Sequence, residues 1–281
     1  AGKTTLCKLL IKKMKNINLS ISYTSRNRRL NEYKFIEYLE SCGSTKNSKL
    51  YATNEIENWT LFHWIDGQKP QNLNDQRIKQ ISDFITLINN NGNKEYMGIA
   101  SEACIDISDF LATIRERMVA LKSYQAKTTH EVEIAIWINT ILDERVDSAY
   151  RVLNQKSEMA HWRDGTLGTF ASPSDIGIHN TLDVAGNLYF IDFEYAGKDD
   201  LSKLVADMIH QPRTPLTDVQ RCNLITRLLA DIEKNDSWHS RLLDIEELIR
   251  LKWCIIILND YLKGRSCEMT LAKVKTYLDR Y

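Results

Sequence analysis

Three side chains in the middle of the chain have the types and spacings that phosphoryl transfer would use. Asp175 lies in the run Ser172-Pro173-Ser174-Asp175-Ile176-Gly177-Ile178-His179-Asn180, with Asn180 five residues after it. Asp192 stands 17 residues beyond Asp175, after the apolar run Tyr189-Phe190-Ile191 and directly before Phe193. Phosphoryl transfer asks for little covalent chemistry from the protein. One aspartate accepts or orients the proton of the attacking hydroxyl, while an asparagine and a second aspartate hold magnesium against nucleotide phosphates. Magnesium takes hard oxygen donors, usually one or two carboxylates plus phosphate oxygens and water. Asp-x4-Asn alone is also an ordinary turn composition, since both residues favour turns through local hydrogen bonds. The apolar strand closing on Asp-Phe at the matching interval favours the chemical reading.

To present these groups, a scaffold must deliver a polar loop followed by a short strand. Gly, Pro, Ser and Asp cluster over residues 164–193, and residues 187–191 read as an apolar strand. Helical apolar periods flank this interval, at residues 75–89, 106–123 and 129–159 before it and 200–210, 217–234, 237–262 and 269–278 after it. Nearer the start, Leu6, Leu9, Leu10, Met14 and Ile17 have helical spacing. Residues 17–23 alternate like a strand, 31–41 read as a helix, and 59–65 read as a buried strand stopped by the Asp66-Gly67 turn. The expectation is an α+β chain: a small mixed part over residues 1–66, a linker near residues 66–70, and a larger helical part over residues 67–281.

Composition narrows the possible functions. The chain has 281 residues, with 37 Lys and Arg against 37 Asp and Glu, so its formal net charge is zero. Apolar residues at 43% exclude a disordered chain. The charge balance gives no general field for nucleic-acid phosphates, so no nucleic-acid partner is expected. Apolar stretches such as Cys254-Ile255-Ile256-Ile257-Leu258 fall far short of the roughly 20 residues of a membrane span, and no membrane partner is expected. The six cysteines are scattered without a CxxC pair, which argues against zinc or a disulfide framework and for thiols in a reducing cytoplasm.

The run Ser174-Asp175-Ile176-Gly177-Ile178-His179-Asn180, with Ile191-Asp192-Phe193, resembles the aminoglycoside phosphotransferase and choline kinase-like family. Three further segments are similar to that family. Gly197 to Asp207 resembles its downstream helix start, Arg29-Leu30-Asn31-Glu32-Tyr33 its N-lobe helix with the glutamate, and Phe62-His63-Trp64-Ile65-Asp66-Gly67 the strand entering its hinge. Covering about residues 28–281, the resemblance implies a two-lobed protein-kinase-like fold, with a small, apparently incomplete N-lobe and a large helical C-lobe. It implies ATP and Mg2+ as cofactors and a small-molecule hydroxyl as substrate. Asp175 would be the catalytic base, Asn180 and Asp192 the magnesium ligands, Glu32 part of the nucleotide site, and backbone groups near His63 and Ile65 the adenine contacts. Three positions depart from the family. Pro173 stands where a histidine is frequent, residues 19–23 contain no lysine, and no glycine-rich loop over the phosphates is recognisable. The last two departures keep a catalytically impaired nucleotide-binding pseudokinase as an alternative, because phosphates would lose charge neutralisation.

The first 32 residues carry a second resemblance. Ala1-Gly2-Lys3-Thr4-Thr5 fits the second half of a phosphate-cradling P-loop, which would make Lys3 and Thr4 nucleotide contacts. Ser22, Thr24, Arg26, Arg29 and Glu32 match the nucleotide-acceptor segment of guanylate kinases, where arginine forks pair with phosphate. This stretch is therefore a diverged kinase-like N-lobe, a P-loop remnant, or a plain basic helix and strand. A P-loop guanylate kinase-like enzyme is the corresponding alternative function. The chain opens at Ala1 without methionine, and an upstream continuation is expected.

Other residues are assigned more ordinary expectations. His179 is read as scaffold or as a contact to the Asp175 backbone, with general base as the lesser role. His161, Arg163 and Asp164 would form a solvated turn or line the acceptor site. Glu194 would be a third ligand or a surface charge. Trp137 and Trp253 read as core, and Asp200 and Asp207 as capping and packing residues.

Overall fold

The computed structural model describes residues 19–23, 29–54, 59–232, 236–265 and 268–280, and they form two compact units built from interleaved stretches of chain. The first unit draws on residues up to Ser101, on Ala171–Lys198 and on Asp218–Glu233. Its antiparallel sheet has the order β1 (Leu19–Tyr23), β3 (Trp59–His63), β2 (Leu50–Asn54), with Leu19 opposite His63 and Phe62 opposite Leu50. Helix α1 (Arg29–Ser41) packs on β2 and β3. It buries Phe35, Ile36 and Leu39 together with Glu32, a spacing of three and four residues that keeps one face inward.

Asn74 caps helix α2 (Asp75–Asn90) by accepting the Arg77 N–H at 2.9 Å. The buried face of α2 is Ile78, Ile81, Phe84, Ile85 and Ile88, and it packs against α8 (Asp218–Asp231). Strands β5 (Thr181–Val184) and β6 (Asn187–Phe190) form a hairpin closed by Ala185 at φ 51° and Gly186 at φ 83°. Positive φ at both central residues is the turn whose twist matches paired strands. The expected linker at residues 66–70 is itself tied down, because Gln68 pairs with Asp183 of the hairpin. Asn47 likewise pairs with Phe190.

The second unit is helical. It contains α3 (Ile107–Ser123), α4 (Thr129–Trp137), α5 (Asp143–Lys156), α6 (Ala160–Arg163), α7 (Leu201–His210), α9 (Ser237–Ile257), α10 (Asn259–Leu262) and α11 (Glu268–Leu278). Helix α9 lies against α3, α5, α6, α7 and α11, and buries Trp238, Leu242, Ile245, Ile249 and Leu251. Capping boxes start α3 at Asp106 and α4 at Thr128.

Two expected helices are interrupted. Residues 129–159 contain a π-helical turn at Ile138–Leu142 and stop being helical at Lys156. Asn139 and Thr140 hydrogen-bond back to the carbonyls of Ala135 and Ile136 at 2.8 Å, polar chemistry that a 3.6-residue apolar period does not register. Residues 237–262 break at Leu258, whose N–H bonds to both Cys254 and Ile255 carbonyls. The short strands β2, β4 (Phe170–Ser172) and β7 (Gly197–Asp199) had no apolar alternation long enough to mark them. The Leu6-to-Ile17 helix expectation lies outside the described residues.

Candidate active site

The loop after β4 is a chain of short-range constraints. The Ser174 N–H donates to Ser172 Oγ at 3.0 Å, and the Asp175 N–H to the Pro173 carbonyl at 2.9 Å. Ser174 takes φ 67°, so the chain turns sharply and leaves the Asp175 side chain 45% exposed, open to a hydroxyl from outside. Asn180 closes the loop. Its Nδ2 donates to the Asp175 carbonyl at 3.0 Å and its N–H to the Gly177 carbonyl at 3.0 Å. The following strand is then registered on the loop, because the Ile191 N–H donates to the Asn180 carbonyl at 3.0 Å. Asp175 and Asn180 are thus bonded within one loop, and Asp192 follows directly on the residue that the loop holds in register.

Asp192 has φ 68°, an uncommon conformation for a residue other than glycine. Its carboxyl is held above the usual aspartate range by partial desolvation and by the negative charges of Glu194 and Asp175, against the opposing charge of Lys69. Phe193 next to it is buried, 5.3 Å from the Phe35 ring and 6.3 Å from the Phe84 ring between centroids. A cleft of about 290 Å³ opens beside Asp192 and is lined also by Glu32, Phe62, His63, Trp64 and Ile65. Glu32 is only 5% exposed there.

The expected adenine contacts differ from each other. The His63 N–H donates to the Lys49 carbonyl at 2.9 Å, and its carbonyl already accepts Ser48 Oγ at 2.6 Å. Ile65 keeps an N–H with no acceptor among the described residues, while its carbonyl accepts the Gly67 N–H at 3.1 Å. Lys3 and Thr4 lie outside the described residues.

Two groups near Asp175 make contacts other than those expected of them. His179 Nε2 lies 3.0 Å from Asp175 Oδ1, so its contact is with the carboxylate and not with the backbone. Lys69, expected only as linker, donates its ammonium to the His179 carbonyl. A histidine four residues after the aspartate and two after a glycine was the available signal for the first. Nothing in sequence spacing points to the second.

The alternatives for residues 161–164 also separate. His161 Nε2 is 2.7 Å from Asp244 Oδ2, Asp164 Oδ1 lies 3.4 Å from the Arg241 guanidinium, and Arg163 pairs with Glu158. Asp200 caps α7 through the Ser202 N–H, and Asp207 pairs with Lys252. Trp137 is buried, whereas Trp253 is half-buried and donates Nε1 to Asp207 at 3.1 Å.

No group of three His, Cys, Asp or Glu among the described residues could hold a metal by itself. A two-ligand site completed by phosphate oxygens is the arrangement that suits magnesium. Asn180 fits that part, since anchoring its Nδ2 leaves Oδ1 with no donor among the described residues. Asp192 fits as well, since a divalent cation would offset the burial and acidic neighbours that oppose its ionisation.

No protein-family model matches the chain. Among curated proteins it is 26% identical over 164 residues to a guanylate kinase of Agrobacterium fabrum, covering 58% of this chain and 67% of that one. The structural likenesses are broader. An aminoglycoside phosphotransferase from Alicyclobacillus acidocaldarius superposes with a TM-score of 0.65 at 13% identity, over 95% of this chain and 83% of that chain. An ethanolamine kinase from Plasmodium vivax gives 0.60 at 13% identity, over 95% and 76%. A spectinomycin phosphotransferase solved with AMP gives 0.64 at 12% identity, over 99% and 94%. The chain therefore resembles aminoglycoside phosphotransferases and choline or ethanolamine kinases in structure, with the guanylate kinase likeness a minor addition. Its fold is α+β and protein-kinase-like.

Proposed function

We propose that the chain is an ATP-dependent phosphotransferase that moves the γ-phosphoryl group to a hydroxyl of a small molecule. The observation that carries the reading is that, on this fold, Asn180 is hydrogen-bonded to the Asp175 backbone while Asp192 follows the residue bonded to Asn180 and feels the Asp175 charge. Asp175 acts as the base: its exposed carboxylate accepts the acceptor hydroxyl proton as the oxygen attacks the γ-phosphorus, whose bond to the bridging oxygen breaks and releases ADP. Asn180 Oδ1 and Asp192 hold Mg2+, which when bound neutralises charge on the phosphates. Phosphoryl transfer gains mostly from positioning and electrostatics, so a loop fixed by backbone hydrogen bonds is suited to it.

In this reading residues 1–66 form the nucleotide-binding lobe, with Glu32 and Ile65 at the nucleotide, and residues 67–281 carry the loop and the acceptor surface. AMP in one structural relative supports a nucleotide cofactor. Among the described residues no helix is long and apolar enough to cross a membrane. A cytoplasmic site of action belongs to this reading because ATP is available there.

The test is Mg2+-dependent ATP turnover across a panel of hydroxylated metabolites, sugars and aminoglycosides. Turnover should appear with some acceptor and be lost in Asp175→Ala. One observation favours a second reading: β1 contains no lysine to hold phosphates. A nucleotide-binding pseudokinase would gain thermal stability from Mg2+–ATP yet make no product. The guanylate kinase-like alternative predicts GMP-dependent conversion of ATP to ADP, with GDP formed, that disappears in Lys3→Ala.

A further inference from the structure

The imidazole of His179 is built into the loop more tightly than a scaffold residue requires. Nε2 lies 3.0 Å from Asp175 Oδ1. On the other side of the ring, Nδ1 is buried with no hydrogen-bond partner among the described residues. The ring lies over Gly177, where a Cβ would come within 2.7 Å of Cε1 and 2.8 Å of Nδ1. Gly177 is extended at φ −171°, a conformation any residue adopts, so its bare Cα serves the imidazole and not the backbone. The backbone at 179 is fixed as well, with the His179 carbonyl taking the Lys69 ammonium and Asn180 bonded back to Asp175 and Gly177.

A carboxylate has two oxygens and only accepts, so a donor locked onto Oδ1 leaves Oδ2 as the free acceptor in a fixed direction. The tautomer with its proton on Nε2 makes that bond and places only a lone pair at the buried Nδ1. We infer that His179 is a positioning residue that clamps Asp175 Oδ1 through Nε2–H and aims Oδ2 at the acceptor hydroxyl, with Gly177 providing the space for the clamp. The inference deepens the phosphotransferase reading and rests on it.

Two measurements on the full chain test it. The first needs no activity. In 15N-histidine-labelled protein, the His179 signals, identified by their loss in His179→Gln, should show a protonated Nε2 and a bare Nδ1. Exchange of the Nε2 proton with solvent should speed up in Asp175→Ala. The opposite tautomer, or exchange unchanged by Asp175→Ala, would overturn the inference.

The second measurement is kinetic. His179→Ala should lower kcat at least about tenfold, part of the roughly 100- to 10,000-fold that a positioned base supplies. KM for ATP should stay within about twofold, since the clamp acts on the base and not on nucleotide binding. His179→Gln, whose amide donor reaches about as far as Nε2, should recover most of the loss. Equal impairment of both variants, or no impairment, would overturn the inference and reduce His179 to packing. If the unsubstituted chain turns over no acceptor while the 15N signals match, the hydrogen bond stands. The phosphotransferase reading then fails, and the positioning role falls with it.

Discussion

Asp192 ionises against its surroundings, and that has a consequence for stability. Burial, Glu194 and Asp175 raise its folded-state pKa, so between the ordinary aspartate value and the raised one the folded chain binds more protons than the unfolded chain. Stability from this group therefore falls as pH rises above about 4, and levels off beyond the raised pKa. Asp192→Asn, which stays neutral and tolerates the positive φ, should be more stable than its parent at pH 7, with the margin closing toward pH 4 in urea titrations. Saturating Mg2+–ATP should reverse the order. A ligand at 100 times its Kd adds about 2.7 kcal/mol to a state that binds it, and the variant should gain far less. The same scale holds a test of Gly177. Gly177→Ala should cost as much kcat as His179→Ala, and the double variant should be no worse than either, because both remove one contact. The types and spacing of Asp175, Asn180 and Asp192 were legible in the sequence because loop and strand are local. The direction of the His179 ring was not, since it depends on an atom that Gly177 lacks. Pro173 stands where the resemblance expects a histidine, and here an imidazole four residues after Asp175 meets its carboxylate.

At the scale of elements, one aromatic group joins α1, α2 and β6 to the residue after Asp192. Phe84 of α2 stacks on Phe190 of β6 at 4.0 Å between centroids and lies 6.3 Å from Phe193, which in turn meets Phe35 of α1. Phe84→Ala should destabilise the chain by about 3–5 kcal/mol in chemical denaturation. It should also raise KM for Mg2+–ATP, because Phe193 carries the backbone of Asp192. Asn74→Ala, which removes only the α2 cap, should cost about 1 kcal/mol and leave KM unchanged. A rise in KM from the cap variant equal to that of Phe84→Ala would mean that nucleotide binding follows general stability and not the stack. The apolar faces of these helices could be read from their 3.6-residue period. Their convergence on Phe193 could not, because residues 35, 84, 190 and 193 meet only through the fold.

At the scale of the whole molecule, zero net charge conceals charges buried as pairs. In the helical unit, Arg241 and Asp200 are both fully buried and 2.8 Å apart, and the guanidinium also reaches the His161 carbonyl at 2.6 Å. Lys203 lies 3.0 Å from Asp199 and 3.5 Å from Asp207. Burial opposes ionisation of Asp207, yet Lys252 and Lys203 outweigh it and hold the carboxyl below the usual range. Stability from Asp207 is therefore present above the ordinary aspartate pKa and lost as pH falls through the lowered value. Such pairs add little compared with apolar packing while intact, since desolvation offsets attraction, but breaking one strands a charge. Arg241→Met should therefore destabilise by about 3–5 kcal/mol, a large share of the 5–15 kcal/mol typical of a folded domain. Asp200→Asn added to Arg241→Met should recover much of that loss. It removes the stranded charge while its amide oxygen can still accept the Ser202 N–H that starts α7. Urea unfolding of the parent, single and double variants distinguishes this from simple loss of packing. Under the packing account the double variant would be at least as unstable as Arg241→Met, and the charge of Asp200 would not be what Arg241 is there to balance.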